Sequence, residues 1–323
     1  MDPKKIIVST SIYKPSKALK LFDAKKDWTL IVAGDLKTPK DFKLDRGIYF
    51  TPEEQAALFP ELSAIIGWNC IQRRNFAQLL AYALGADIVA LVDDDNIPNE
   101  QWGKLFINKP TQMQVFSGNT PAFDPLATTN QPHLWHRGFP LSLVANRRYI
   151  SEVATITADI QADLWNGDPD IDAVCRSMFP GQVEFSTKEP FSTTLPTPFN
   201  SQNTFLSRRV LRHYMVLAGI GRMDDIWGAY YAQAHGFKVV FSPASVTQER
   251  NNHSIIKDIK DEALGYAHSL DVILALNKNP NSLFQLPFLP QITKDALSSY
   301  LKVIDQIDAG KLVIPDTIKA RLK

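Results

Sequence analysis

Cysteine is nearly absent from this chain of 323 residues: Cys70 and Cys175 are the two present, far apart and outside any metal-ligand spacing. Neither a disulfide framework nor a structural zinc site is therefore expected. Long apolar runs are missing as well. No window approaches the roughly 20 apolar residues needed to span a bilayer, and the opening MDPKKIIVSTSIYKP has no signal-peptide stretch, so a cytoplasmic protein without a membrane partner is expected. Charge of one sign is equally scarce. The 35 basic and 34 acidic residues leave a formal net charge of +1 and form no long block, which argues against nucleic acid or a membrane surface as the main partner. Internal repeats, low-complexity segments and a marked linker are also absent.

What remains has an ordinary globular balance, 45% hydrophobic and 21% charged. In the first half, short apolar runs alternate with helical patterns, as in a mainly parallel sheet covered by helices. Residues 6–8 and 29–33 are β-rich and end at Ser9-Thr10 and Gly34-Asp35, with a crossover helix expected over 16–22. From Arg74, the residues Phe76, Leu79, Leu80, Ala83 and Leu84 form one apolar helix face that stops at Gly85. Residues 88–92 are wholly apolar and read as a strand buried on both faces.

Between 116 and 198 the chain is rich in proline, aspartate, asparagine and aromatics, and long ordered active-site loops are expected there. A helix is expected over 207–218, with Ser207 as N-cap and Val210, Leu211, Tyr214 and Leu217 on its buried face. Another begins at Asp224-Asp225 and ends at Gly236, and a strand follows over 238–241. The tail from Asp258 reads as helical, so the chain divides into a main α/β domain, 1–257, and a helical extension packed on it, 258–323.

The acidic run Asp93-Asp94-Asp95 follows directly on the apolar strand, at the sheet edge where open α/β folds bind ligands. In an extended segment Asp93 and Asp95 point to one side, a pairing that suits a hard divalent cation with positions left for phosphate oxygens. A solvated acidic turn is the bland alternative, but three adjacent like charges repel without a counter-ion. Arg73 and Arg74, followed by Asn75, would suit a diphosphate contact or would be ordinary helix charges. Asp35 would meet a base or ribose, or else cap its turn. Asp224 and Asp225 would favour a helix N-terminus electrostatically, or would serve as a general base, with Arg222 nearby lowering the pKa. Arg137 beside Gly138 would reach a sugar or phosphate, or would be a solvated surface arginine, and His253, in a dense polar cluster, is either a structural histidine or a candidate third metal ligand.

Taken in order, the segments VST (8–10), GD (34–35) with TP (38–39), RN (74–75), DDDN (93–96), WHRGFPL (135–141) and GDPDIDA (167–173) become recognisable. They continue with PFNSQNT (198–204), DIW (225–227) with AQ (232–233), and QERNNH (248–253). The series resembles the STELLO-type glycosyltransferase family from about residue 6 to 262. It is also, more faintly, similar to the reversibly glycosylated polypeptides, the UDP-arabinopyranose mutases, in which the arginine matching Arg137 is the one associated with self-glycosylation.

What the resemblance implies is a glycosyltransferase-A, Rossmann-like fold, a nucleoside-diphosphate sugar donor, UDP-linked, an unidentified acceptor, and manganese or magnesium as cofactor. On that reading Asp93, Asp95 and His253 hold the metal, and Thr10, Asp35, Arg73, Arg74, Asn75 and Asp94 bind the nucleotide. Asp225, Asp224 and Arg137 carry catalysis, and Arg137, Asp168, Asp170 and Asp172 line the sugar or acceptor side. Two alternatives accompany it: a pyranose/furanose mutase of nucleotide sugars that glycosylates itself, and a binding scaffold without turnover, against which the clustered carboxylates speak.

Overall fold

A computed structural model describes residues 3–104, 108–249 and 254–322. The N-terminal half runs β1 (Lys5–Thr10), α1 (Lys17–Asp23), β2 (Thr29–Ala33), β3 (Ile48–Phe50), α2 (Pro52–Leu58), α3 (Pro60–Ile66), α4 (Arg74–Ala83), β4 (Ile88–Val92) and β5 (Asn96–Pro98). There follow β6 (Thr111–Ser117), β7 (Ile150–Ile156), β8 (Ile160–Gly167), α5 (Ala173–Met178), β9 (Phe191–Thr193), β10 (Asn203–Ser207), α6 (Asp224–Ala234) and β11 (Val239–Gln248). The tail contributes α7 (Ile255–Leu276), α8 (Gln291–Asp308) and α9 (Asp316–Lys319). Among the described residues no helix is long and apolar enough to cross a membrane.

The strands form one mixed sheet in the order β3-β2-β1-β4-β10-β8-β11-β9-β6-β7, with β5 paired to β11. β3, β2, β1 and β4 are parallel neighbours, Ile7 sitting between Leu30 and Ala90. The chain moves one way from β1 to β2 and β3, then returns across β1 to β4, so the order reverses between β1 and β4. Open α/β sheets bind ligands at the carboxyl ends of the strands flanking such a reversal. β10 then runs antiparallel to β4, with Asn203 opposite Val92, which sets Ser201 and Gln202 beside Asp93. β8 and β11 run parallel to each other, and Gly167 and Gln248 pair at that same edge.

Apolar residues account for this arrangement. Every residue of β4 is buried, and α4 buries Phe76, Leu79 and Leu80 on one side of the sheet, each worth about 1.5–3 kcal/mol of burial. α1, Trp28 and Trp102 cover the opposite side. Tyr300, Ile304 and Ile318 of the tail belong to the same apolar cluster as Ile6, Leu91 and Trp227.

The structure departs from the sequence reading in three places. Residues 116–198 contain β7, β8, α5 and β9 as well as loops. Over 207–218 there is no α-helix: Ser207 ends β10, a short 3₁₀ turn covers Arg208–Val210, and the rest is irregular. The expected inward residues Val210, Leu211, Tyr214 and Leu217 are buried all the same. Their backbone is satisfied from outside, since Gln78 Nε2 donates to Tyr214 O (2.7 Å), Tyr300 Oη to Leu211 O (2.7 Å) and Thr293 Oγ1 to Ala218 O (2.6 Å). Finally, Asp94 and Asp95 occupy a turn rather than an extended segment, closed by Asn96 N donating to Asp93 O at 3.4 Å.

Candidate functional site

The carboxyl ends of β1, β2 and β4 wall a cleft of about 270 Å³ lined by Thr10, Ser11, Asp35, Cys70, Arg73, Arg74, Asp93, Asp94 and Asp95, among others. Strand order places the walls; side-chain chemistry fixes the acidic turn within them. Asp94 accepts from Ser11 Oγ at 2.6 Å, and its carbonyl accepts from Ser16 Oγ at 2.5 Å. Burial pushes the Asp94 carboxyl up, although the Ser11 bond opposes this. Gln202 O takes the Asp93 amide (3.3 Å) and Asn96 Nδ2 (2.8 Å), and Glu249 N donates to Asp95 O at 3.1 Å. β11 thus ends against the acidic turn; His253 itself lies outside the described residues.

The basic residues are more deeply committed than free phosphate ligands would be. Arg73 is buried, donating to Gln55 Oε1 (2.9 Å), Ser63 Oγ (3.1 Å) and Gly67 O (3.2 Å), with its guanidinium 3.7 Å from both the Trp68 and Phe76 rings. Burial lowers its pKa to about 10, and its Nη2 has no hydrogen-bond partner among the described residues. Arg74 is paired to Asp93 and donates to Ser201 O (2.8 Å) and Ser201 Oγ (2.6 Å).

Asn75 stands away from the cleft: its carboxamide brackets the backbone of Val216, giving 2.8 Å to O and taking 2.9 Å from N. Asp35 lines the cleft, but its carboxylate accepts the amides of Leu36, Asn69 and Cys70 at 2.7, 2.8 and 3.1 Å.

Arg137 is at the centre of a second group and is 5% exposed. Its Nε and Nη2 hold Asp170 (2.8 and 2.9 Å), its Nη1 and Nη2 hold Asp225 (2.9 and 3.2 Å), and Nη1 also meets Arg222 O. Five donors are in use. Gly138, at φ 79°, makes the turn that points Arg137 inward, and Ile226 packs where a Cβ would stand, 2.4 Å away. Burial works against the guanidinium charge, but Asp170 and Asp225 outweigh it and hold the pKa well above its ordinary value. Arg222, read from sequence as the neighbour that lowers the aspartate pKa, instead bonds Glu262 at 2.8 Å, and Arg137 takes that part.

The two groups are joined by Ser201, whose N and Oγ meet Asp225 Oδ2 at 2.9 and 3.1 Å. A continuous path therefore runs from the half-buried Asp93 through the buried Arg74, Ser201, Asp225, Arg137 and Asp170. Asp168 is paired with Arg176, and Asp172 caps α5 through Cys175 N at 2.8 Å while accepting Trp135 Nε1 at 2.5 Å. Among the described residues no group of three or more His, Cys, Asp or Glu side chains is arranged to hold a metal. Ser11, Ser201, Gln202 and Gln72 were not singled out from sequence. Ser201 and Gln202 fall inside PFNSQNT, where the order of motifs pointed without assigning any role.

Asp224 and Asp225 differ sharply. Burial opposes the Asp225 charge, yet Arg137 holds it below the usual carboxylate range, whereas burial together with the Asp225 charge raises Asp224 to about 8. Burial likewise raises Asp163 and Asp172 to about 7. Between about pH 4 and pH 8 the folded chain keeps protons on these three groups that the unfolded chain releases, so their stabilising contribution, full below pH 4, is lost as pH rises. The thermal midpoint of Asp224→Asn is accordingly expected to fall less than that of the wild type between pH 5.5 and 8.5. Parallel pH profiles would show that Asp224 is not protonated in the fold.

No protein-family model matches the chain. Two curated Arabidopsis thaliana proteins, described as probable glycosyltransferase STELLO2 and probable glycosyltransferase STELLO1, are each 24% identical to it over 311 residues, covering 87% of this chain. The chain spans about two fifths of their length, 40% in each case. The resemblance read from the motif series is thus matched by similarity along most of the chain. Glucosyl-3-phosphoglycerate synthase from Mycobacterium tuberculosis, solved in complex with phosphoglyceric acid, superposes at a TM-score of 0.41 with 13% identity over 85% of this chain and 80% of that one.

Proposed function

We propose that this chain is a glycosyltransferase of glycosyltransferase-A type that moves a sugar from a UDP-linked donor to an acceptor hydroxyl, with manganese or magnesium held at the acidic turn. The observation that carries the proposal is the Asp93-Asp94-Asp95 turn in a cleft at the carboxyl ends of β1 and β4, where the strand order reverses. Two relatives described as probable glycosyltransferases support the same reading.

Carboxylates at one turn are the donor chemistry that such a cation takes, although one Asp93 oxygen is held by Arg74. Asp93 and Asp95 would supply carboxylate oxygens and would leave positions for phosphate oxygens and water, as hard divalent ions prefer. His253 enters the proposal as a third ligand on its sequence context alone. When bound, the metal neutralises charge that builds on the departing diphosphate. Asp94 serves the turn through Ser11 and Ser16 rather than facing ligand with both oxygens. Arg73, buried between the Trp68 and Phe76 rings, supports the cleft wall rather than presenting a free donor to phosphate, and Thr10 and Asp35 would line the nucleoside end.

Transfer breaks the anomeric carbon–diphosphate bond, forms the bond to the acceptor oxygen, and needs a group to take the acceptor proton. Asp225 is spent on Arg137 and Ser201; Asp224, raised to about 8 and held by Gln72 Nε2 at 2.8 Å, is the better base of the two once it has lost its proton. A self-glycosylating mutase would need Arg137 to meet the sugar. Its burial and fully engaged donors favour transfer instead.

A panel of nucleotide sugars with manganese, with and without candidate acceptors, followed by mass spectrometry, tests the reading. Acceptor-dependent release of a nucleoside diphosphate, with the donor ring form unchanged and no adduct on Arg137, is expected. Ring interconversion by the pure protein without acceptor would establish the mutase alternative instead.

A further inference from the structure

The segment PFNSQNT (198–204) takes no part in the chemistry above, yet its polar groups reach both halves of the site. Asn200 Nδ2 donates to Asp170 Oδ2 at 2.9 Å, and Thr204 Oγ1 closes the segment on Asn200 O at 2.7 Å. Asn203 joins Trp102 Nε1 (2.9 Å) and Ser245 Oγ (2.9 Å). Gln202 O holds the Asp93 amide and the Asn96 side chain, so the shape of the acidic turn depends on this segment's backbone. Ser201, 3% exposed, accepts Arg74 through both O and Oγ and gives N and Oγ to Asp225.

We propose that Ser201 is a positioning residue: its hydroxyl locks Arg74, Arg74 fixes the Asp93 carboxylate, and the metal-side carboxylate is thereby held in register with Asp225 and Arg137. The inference rests on the metal site proposed above.

The geometry leaves little alternative anchoring. Arg74 Nη1 has its two partners on Ser201, and Nη2 is shared between Asp93 and Val92 O (3.3 Å), while Nε has no hydrogen-bond partner among the described residues. Without the Ser201 hydroxyl, the guanidinium can turn about its remaining contacts, and Asp93 turns with it. One Asp93 oxygen is committed to Arg74, so the direction of the other is set by how firmly Arg74 is held. Partners that orient a ligand without touching the metal commonly change metal affinity by about 10- to 100-fold. Packing alone would not produce a selective loss, because Ser201→Ala removes one oxygen atom and leaves the backbone bonds of residue 201 in place.

The test uses the whole chain with Mn²⁺ and UDP as probes: Mn²⁺ affinity by electron paramagnetic resonance in saturating UDP, UDP affinity by calorimetry without metal, and the thermal midpoint. For Ser201→Ala the expected result is Mn²⁺ binding weakened by about 10-fold or more with metal-free UDP binding within about 2-fold of wild type. Ser201→Thr, which keeps the hydroxyl, is expected to retain most of the Mn²⁺ affinity. Equal Mn²⁺ binding by wild type and Ser201→Ala overturns the positioning role and leaves the metal site standing. Equal loss of Mn²⁺ and metal-free UDP binding shows a merely structural residue and also overturns it. A wild type that binds no Mn²⁺ in the presence of UDP removes the metal site and this inference together.

Discussion

Replacing Arg137 by methionine is expected to be the most damaging single substitution at the site, lowering stability by about 3–5 kcal/mol because it strands two buried carboxylates. Asp170 and Asp225 are 0% and 4% exposed, and Arg137 is the cation between them. Neutral methionine fills much of the volume but supplies no charge to offset the two carboxylates, and the bonds from Ser201 to Asp225 and from Asn200 to Asp170 are not a substitute for the guanidinium. Both carboxylates would have to take up protons or draw in water. At about 2–4 °C per kcal/mol for a domain of this class, the thermal midpoint should drop on the order of 10 °C.

Arg137→Lys keeps the charge but loses the planar fork that meets Asp170 with two nitrogens and Asp225 with two, so it should be intermediate. Thermal melts of the three proteins check this. A methionine variant as stable as wild type would mean that the guanidinium does not lie between the two aspartates.

The second large effect is on chemistry. The double variant Asp93→Asn/Asp95→Asn is expected to fold with nearly wild-type stability and to lose transfer by about 10²- to 10³-fold, since charge neutralisation by a metal is worth several kcal/mol and each 1.36 kcal/mol is tenfold in rate. Asparagine is the informative replacement. Arg74 is 1% exposed, and Asp93→Ala would leave its guanidinium without an acceptor at residue 93, confusing a structural loss with a chemical one. An asparagine oxygen still accepts from Arg74, while the charge that attracts a cation is gone. Donor turnover in manganese, measured beside the melting curve of the same preparation, separates the two effects. Turnover within a few fold of wild type would exclude the acidic turn as the metal site.

The parts of this site that were legible in the sequence are those fixed by local pattern. A run of five apolar residues followed by Asp93-Asp94-Asp95 reads as a buried strand delivering carboxylates to a sheet edge, and β4 is fully buried. The helix face from Phe76 to Leu80 and the stop near Gly85, at φ 80°, were likewise local.

What escaped the reading was set by partners remote in the chain. Arg74 finds Ser201 127 residues on, and Asn75 and Val216 are 141 apart, so neither arginine nor asparagine revealed its use through its neighbours. β10 was hidden because it opens on Asn203 and Thr204, polar residues buried by bonds to Ser245, Trp102 and the backbone of Asn200. The missing helix over 207–218 has the same origin: its apolar residues repeat with helical spacing, but Gln78, Asn75, Tyr300 and Thr293 supply hydrogen bonds that a helix would otherwise make internally.

The central claim is that the acidic turn binds a divalent cation together with a nucleoside diphosphate, and calorimetric titration of UDP into the wild-type chain with and without manganese tests it most directly. Binding at least tenfold tighter with manganese, with that gain abolished in Asp93→Asn/Asp95→Asn, is the predicted result. UDP affinity that is unchanged by manganese, or a gain that survives in the double variant, would contradict it.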